Sequence, residues 1–189
     1  DIAISPPEHG SLLEPHPVSG AGKSGKPSVC LVISTLGAGG AERQVTYLAE
    51  RLNSLGHEVR VRVASVGGVD GYYSKRLKKA GVDVRRFKWR AGLRNLKGLE
   101  KFGISSRLFA YIPLPLRQDV AALALELLEK PVDLVHCFLD HSSITAGWAG
   151  LISGTPAIRL SGRNPNPSYF AFYPAWMPYQ YRWLLSSPR

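Results

Sequence analysis

One stretch constrains this chain more than any other: Ser34-Thr35-Leu36-Gly37-Ala38-Gly39-Gly40-Ala41-Glu42-Arg43. It follows an apolar run, Val29 to Ile33, and opens an amphipathic segment with Val45, Leu48, Ala49 and Leu52 at helical spacing. The order is strand, tight turn, helix N-terminus. Glycines there let backbone N–H groups approach an anion without a Cβ in the way, and the helix dipole adds about half a positive charge at the same point. Gly39 and Gly40 are therefore the place to expect a phosphorylated ligand. Two familiar phosphate motifs fail on the residues. A P-loop needs Lys and then Ser or Thr after its last glycine, but Ala41-Glu42 follow Gly40. A dinucleotide fingerprint begun at Gly37 and Gly39 needs Gly or Ala at 42 and an acid near the end of the second strand. The chain has Glu42 and Ala64-Ser65. NAD binding is disfavoured.

The remaining periodicities alternate between strand and helix. Val59, Val61 and Val63 alternate with Arg60 and Arg62 across Glu58–Ser65, which is strand spacing. Gly71–Ala80 reads as a short basic helix and Val82–Arg86 as a third strand. Gly92, Gly98, Gly103, Pro113 and Pro115 interrupt every pattern between 87 and 115. Arg117–Lys130 reads as a helix ended by Pro131, followed by strand Val132–Phe138, helix Ser142–Ser153, strand Ala157–Leu160 and an aromatic segment from Tyr169 to Leu185. Such alternation implies a Rossmann-like three-layer α/β/α domain with a mainly parallel sheet. Ligands of these sheets bind beyond the carboxyl ends of the strands, so Thr35–Gly40, Asp140–His141 and Ser161–Asn164 are expected on one rim.

At 189 residues the chain is sized for one domain, expected over 28–189, with 1–27 as a disordered leader that holds no continuous apolar stretch. The absence of an initial Met suggests trimming. Two cysteines, Cys30 and Cys137, are too few for a disulfide scaffold. They read as buried free thiols and point to a reducing cytoplasm. Between Lys75 and Arg107 stand twelve Lys or Arg against Asp83 and Glu100, an excess of ten that equals the net charge of the whole chain. Trp89, Leu93, Leu96, Leu99, Phe102, Ile104, Leu108, Phe109 and Tyr111 interleave with those bases. Charge plus apolar surface suits an anionic bilayer, with Arg85, Arg86, Lys88, Trp89 and Arg90 as the candidate membrane or acceptor surface. A solvated face is the plain alternative, and a nucleic-acid patch would come without a nucleic-acid motif.

His136, Asp140 and His141 cluster near a strand end without the spacing of a metal site. A histidine at a strand terminus is more often structural than catalytic. Asp140 or His141 could hydrogen-bond an acceptor hydroxyl. Glu42, in the first helical turn, complements the dipole.

The turn resembles the start of family 4 glycosyltransferases of GT-B architecture, whose first turn commonly reads Gly-Gly-Ala-Glu-Arg before a helix ending in Gly-His-Glu-Val. Here these are Gly39-Gly40-Ala41-Glu42-Arg43 and Gly56-His57-Glu58-Val59. Val132-Asp133-Leu134-Val135-His136 is similar to the family's Asp-Val-Val-His strand. Gly154-Thr155-Pro156 and Ser161-Gly162-Arg163-Asn164 resemble its Gly-Val-Pro strand and Ser-Glu-Arg-Asn turn, with Gly162 replacing Glu. The resemblance implies an N-terminal, acceptor-side half whose C-terminal donor-binding domain, with its pair of glutamates, lies outside this chain. It implies a retaining, hexosyltransferase-like enzyme of polysaccharide biosynthesis that moves a sugar from a nucleotide-sugar to a glycan or lipid-linked acceptor at the cytoplasmic membrane face. No metal or other cofactor is implied, and the fragment alone is expected to be inactive. Gly39 and Gly40 would face the donor phosphates, and Arg163 stands where some relatives contact donor phosphate or sugar. The alternative is a non-catalytic nucleotide- or anion-binding module.

Overall fold

The computed structural model describes residues 25–64, 70–87, 94–162 and 173–186. Five strands, β1 (Val29–Ile33), β2 (Val59–Val63), β3 (Asp83–Arg86), β4 (Leu134–Phe138) and β5 (Ala157–Ser161), pair in parallel in the order β3-β2-β1-β4-β5. All five residues of β1 are buried, as a central parallel strand covered on both faces requires. Around the sheet lie α1 (Gly40–Ser54), α2 (Ser74–Lys79), α3 (Arg94–Glu100), α4 (Arg117–Glu129), α5 (Asp140–Ile152) and α6 (Trp176–Leu185). The expected Rossmann-like α/β sheet is present.

Alternate residues of β1 and β4 feed two cores. Val29, Leu31 and Ile33 join Val61, Val63, Val84 and Phe138 under Val45 and Ala49 of α1 and Leu77 of α2. Cys30, Val32, Val135 and Cys137 face the opposite layer, with Val120 and Leu123 of α4, Ile144 and Trp148 of α5, and Met177 and Leu184 of α6. Both cysteines are free and buried. Burial pushes the thiols up, Cys30 to about 12 and Cys137 to about 11. The helix stop at Gly56 is as expected: its φ of 85° is left-handed, where glycine carries no steric cost, and its N–H bonds Asn53 O at 2.9 Å.

Several boundaries differ from the sequence reading for identifiable reasons. β2 is shorter than Glu58–Ser65, and both faces of its alternation are covered, since Arg60 and Arg62 are only 3% and 2% exposed. The Arg62 guanidinium donates to Glu126 Oε1 at 2.5 Å, to Asp83 Oδ2 at 2.9 Å and to the carbonyls of Asp83 and Val61. Burial opposes its charge, and the two carboxylates outweigh that, holding its pKa up. Arg60 bonds Glu58 and the Lys130 carbonyl.

The stretch from 87 to 115, unreadable by period, contains α3 and two 3-10 turns, Ser106–Tyr111 and Leu114–Leu116. Gly98 lies inside α3 because a Cβ would sit 2.8 Å from Leu125, so glycine is what lets α3 lie against α4. Pro113 and Pro115 bound and enter the second 3-10 turn. α2 begins three residues after Gly71, and α5 begins at Asp140 rather than Ser142. The aromatic C-terminal segment supplies α6, which packs on α5: Trp148 and Trp183 stack with centroids 4.3 Å apart, and Trp148 Nε1 donates to Gln180 at 2.6 Å. Among the described residues no helix is long and apolar enough to cross a membrane.

Candidate functional site

The strand order reverses between β1 and β4, and a crevice outside the carboxyl ends is expected at such a switch point. The β1–α1 turn forms one wall and the β4–α5 turn the other. Ser34 and Ser142 join them through hydroxyls 2.6 Å apart.

On the first wall, Leu36 is fully buried and anchors the turn in the core. Its carbonyl accepts from Tyr73 N–H at 3.0 Å. Gly71 lies so close behind that a Cβ would come within 2.9 Å of Gly37 N and nearer still to the Leu36 carbonyl. The helix expected from Gly71 starts instead at Ser74, whose N–H donates to the Gly71 carbonyl at 3.0 Å in the turn before it. Gly39 is the N-cap of α1, and the first helical bond runs from Arg43 N–H to its carbonyl. The N–H groups of Gly40, Ala41 and Glu42 precede that bond and have no intrahelical acceptor. Gly40 is exposed, its φ is not left-handed, and a Cβ there would meet nothing within 4 Å. Neither backbone conformation nor packing requires glycine at 40. Glu42 does more than complement the dipole, because its Oε1 accepts from Thr35 Oγ1 at 2.9 Å.

The second wall starts at Leu139, the one non-glycine with positive φ among the described residues, at φ 72° and ψ 156°. That region belongs almost entirely to glycine and costs about 1–3 kcal/mol. Asp140 and His141 follow in the first turn of α5, with opposite environments. Asp140 is buried, and its two carboxylate oxygens accept from the hydroxyls of Tyr173 and, at 3.1 Å, Tyr181. Burial first, then the Asp140 charge, pushes the Tyr181 hydroxyl far above its ordinary range. Asp140 thus ties the C-terminal segment to the rim. His141 is exposed, edge-on to Trp176 with ring centroids 6.2 Å apart. His136 is buried and tilted on Phe138 at 4.3 Å, and it bridges β4 to β5 through Nε2 and Ser161 Oγ at 2.8 Å. Gly162, at the end of β5, is exposed. Arg163 lies outside the described residues.

The basic segment is partly neutralised. Arg76 makes two bonds to Glu50 of α1, at 2.6 and 2.7 Å, and stacks over Tyr47, while Lys78 meets Asp70 and Arg85 meets Asp83. The interleaved apolar residues are mostly core: Leu99, Ile104, Leu108 and Phe109 are buried, because α3 and the following turn pack on α4. Phe102 is 37% exposed. Lys88, Trp89, Arg90 and Leu93 lie outside the described residues.

Sequence reasoning located the turn and the Asp140–His141 pair. It missed the Thr35–Glu42 bond, the Gly71 contact, the Leu139 strain and the two tyrosines on Asp140. None of these has a local signal, since each joins residues that only the fold brings together or depends on backbone shape. The Gly71 contact carries a direct expectation. Gly71→Ala must displace the Leu36 carbonyl, costing about 1–3 kcal/mol and lowering Tm by several degrees, whereas Gly40→Ala leaves Tm unchanged. Equal melting of Gly71→Ala and wild type would contradict the contact.

The model of the glycosyl transferase 4-like domain matches residues 39–185. A solved structure described as the glycotransferase of kitacinnamycin is similar over 86% of this chain and 41% of its own, at 15% identity and a TM-score of 0.42. This chain therefore spans less than half the length of that protein. No curated protein sequence matches. The family match begins at Gly39, at the end of the first turn, and runs through the β4–α5 turn to Leu185, the last residue of α6; the chain belongs to the glycosyl transferase 4-like family.

Proposed function

We propose that this domain is the acceptor-side, N-terminal half of a retaining GT-B enzyme that moves a sugar from a nucleotide-sugar to a glycan or lipid-linked acceptor without a metal. The observation that carries the reading is Gly40: a glycine that the fold itself does not need, at the N-terminus of a 15-residue helix, on the rim where parallel sheets bind ligands. Breaking the sugar–phosphate bond leaves growing negative charge on the departing nucleoside diphosphate. Fixed N–H groups and the helix dipole aimed at that charge stabilise the transition state more than the ground state. Gly39 and Gly40 supply them. Across the crevice, exposed His141 is the group free to hydrogen-bond an acceptor or sugar hydroxyl, while Asp140 is engaged in holding Tyr173 and Tyr181.

In the two-domain enzyme, Gly40→Val is expected to lower kcat/KM for the nucleotide-sugar at least tenfold while Tm stays within about 2 °C. This chain alone turns over no donor. Near-normal kinetics of the variant would reduce the turn to a structural role, and robust turnover by the isolated chain would overturn the division of labour.

The exposed bases of the 75–107 segment, with Phe102, support a peripheral site on the anionic cytoplasmic membrane face. At about 1 kcal/mol per engaged base, and with Arg85 already tied to Asp83, neutralising Arg85, Arg86, Lys88 and Arg90 together is expected to weaken partitioning by about two decades. Sedimentation with anionic vesicles reads this. Equal binding by wild type and variant, or no binding by either at low salt, would assign the charge to another partner.

A further inference from the structure

Only one residue joins β4 to α5. The strand ends at Phe138 and the helix begins at Asp140, whereas such connections ordinarily take about two to six residues. Leu139 makes the turn alone, and its backbone, at φ 72° and ψ 156°, lies in a region that an L side chain rarely enters. Along β4 the side chains alternate as a strand requires, with Val135 and Cys137 in the core of α4 and α5 and Phe138 in the core of α1 and α2. By that alternation the next side chain returns to the α5 side. Leu139 instead packs, half-buried, against the same core as Phe138, while the chain itself passes into the α5 layer, where Ile144 and Trp148 are buried.

Neighbouring contacts hold the turn in that shape. Leu139 N–H donates to the Ser161 carbonyl at the end of β5, at 3.3 Å, and its carbonyl accepts from Ser143 N–H at 2.9 Å as the first bond of α5. Asp140 is held by Tyr173 and Tyr181, and Ser142 reaches Ser34 beyond the end of β1. Glycine at 139 would carry no steric cost in this conformation, yet it would lack the side chain that anchors the turn in the core. We infer that Leu139 is a positioning residue for sugar transfer: its anchored, strained backbone seats the first turn of α5 directly on the carboxyl end of the sheet, so that Ser142 meets Ser34 and the exposed His141 stands at a fixed place on the rim. This role rests on the proposed contact between His141 and a sugar or acceptor hydroxyl. Stability and activity then make opposite demands on one residue. Strain at 139 lowers stability, and the side chain that imposes it fixes where His141 stands.

Two substitutions separate the anchor from the strain. Leu139→Ala removes the anchor and keeps a Cβ in the unfavourable region, whereas Leu139→Gly removes both. At an ordinary position glycine melts below alanine. Here the chain carrying Leu139→Gly is expected to melt about 4 °C or more above Leu139→Ala and within about 2 °C of wild type. In the two-domain enzyme, Leu139→Gly is expected to lower kcat by about tenfold or more with KM changed less than about threefold, and His141→Ala to lower kcat by at least as much. Wild-type kcat in Leu139→Gly beside a loss in His141→Ala overturns the positioning role and leaves the His141 contact standing. Unchanged kcat in His141→Ala overturns that contact, and the positioning role with it. Leu139→Gly melting below Leu139→Ala overturns the strain at 139 and the role built on it.

Discussion

The pairing of β1 with β4 is the constraint on which the site depends. Val29 to Val32 lie in parallel register with Leu134 to Cys137, although more than a hundred residues separate them. Because β2 and β3 extend the sheet on one side of β1 and β4 and β5 on the other, the chain leaves these neighbouring strands in opposite directions. The two exits cannot cover each other. A crevice is expected at that point, and the Ser34–Ser142 hydrogen bond shows how closely the two turns approach. Burial of all of β1 keeps the glycine turn from shifting along the sheet.

Each wall is then fixed by contacts that leave particular groups exposed. Leu36 and the Gly71 approach hold the first, so the N–H groups at the start of α1 are directed by packing rather than by side-chain capping. The second is held by Asp140, which Tyr181 ties to α6 and Tyr173 to the segment before it, next to the strained Leu139 between strand and helix. The outcome is a division within one dipeptide. Asp140 is committed to structure, and His141 is left exposed.

What could be read from the sequence followed from local physics. The β1–turn–α1 unit was legible because an apolar run, three glycines and a helical period occur in succession. The cysteines were legible because a thiol inside an apolar strand of a parallel sheet has nowhere polar to go. What could not be read depended on distant partners. The burial of Arg60 and Arg62 rests on partners far along the chain, with Glu126, 64 residues on, and Asp83 beside Arg62. Leu99, Ile104, Leu108 and Phe109, set among the bases of the 75–107 segment, belong to the same core as α4. Gly98, which seems to break a helix, instead allows α3 to approach Leu125. In the candidate site, residue types marked the rim, but side-chain roles within it were set by Tyr173, Tyr181 and Thr35, whose positions no local pattern records.

If the crevice at the β1–β4 switch point receives a nucleoside diphosphate through the start of α1, the amides there must sense the ligand first. Backbone amide NMR of the chain during titration with a nucleoside diphosphate tests this most directly. The largest shift changes are expected at Gly39, Gly40 and Ala41, with a second group at Asp140 to Ser142. Changes confined to the basic segment from α2 to α3, with the Gly39–Ala41 amides unmoved, would contradict it.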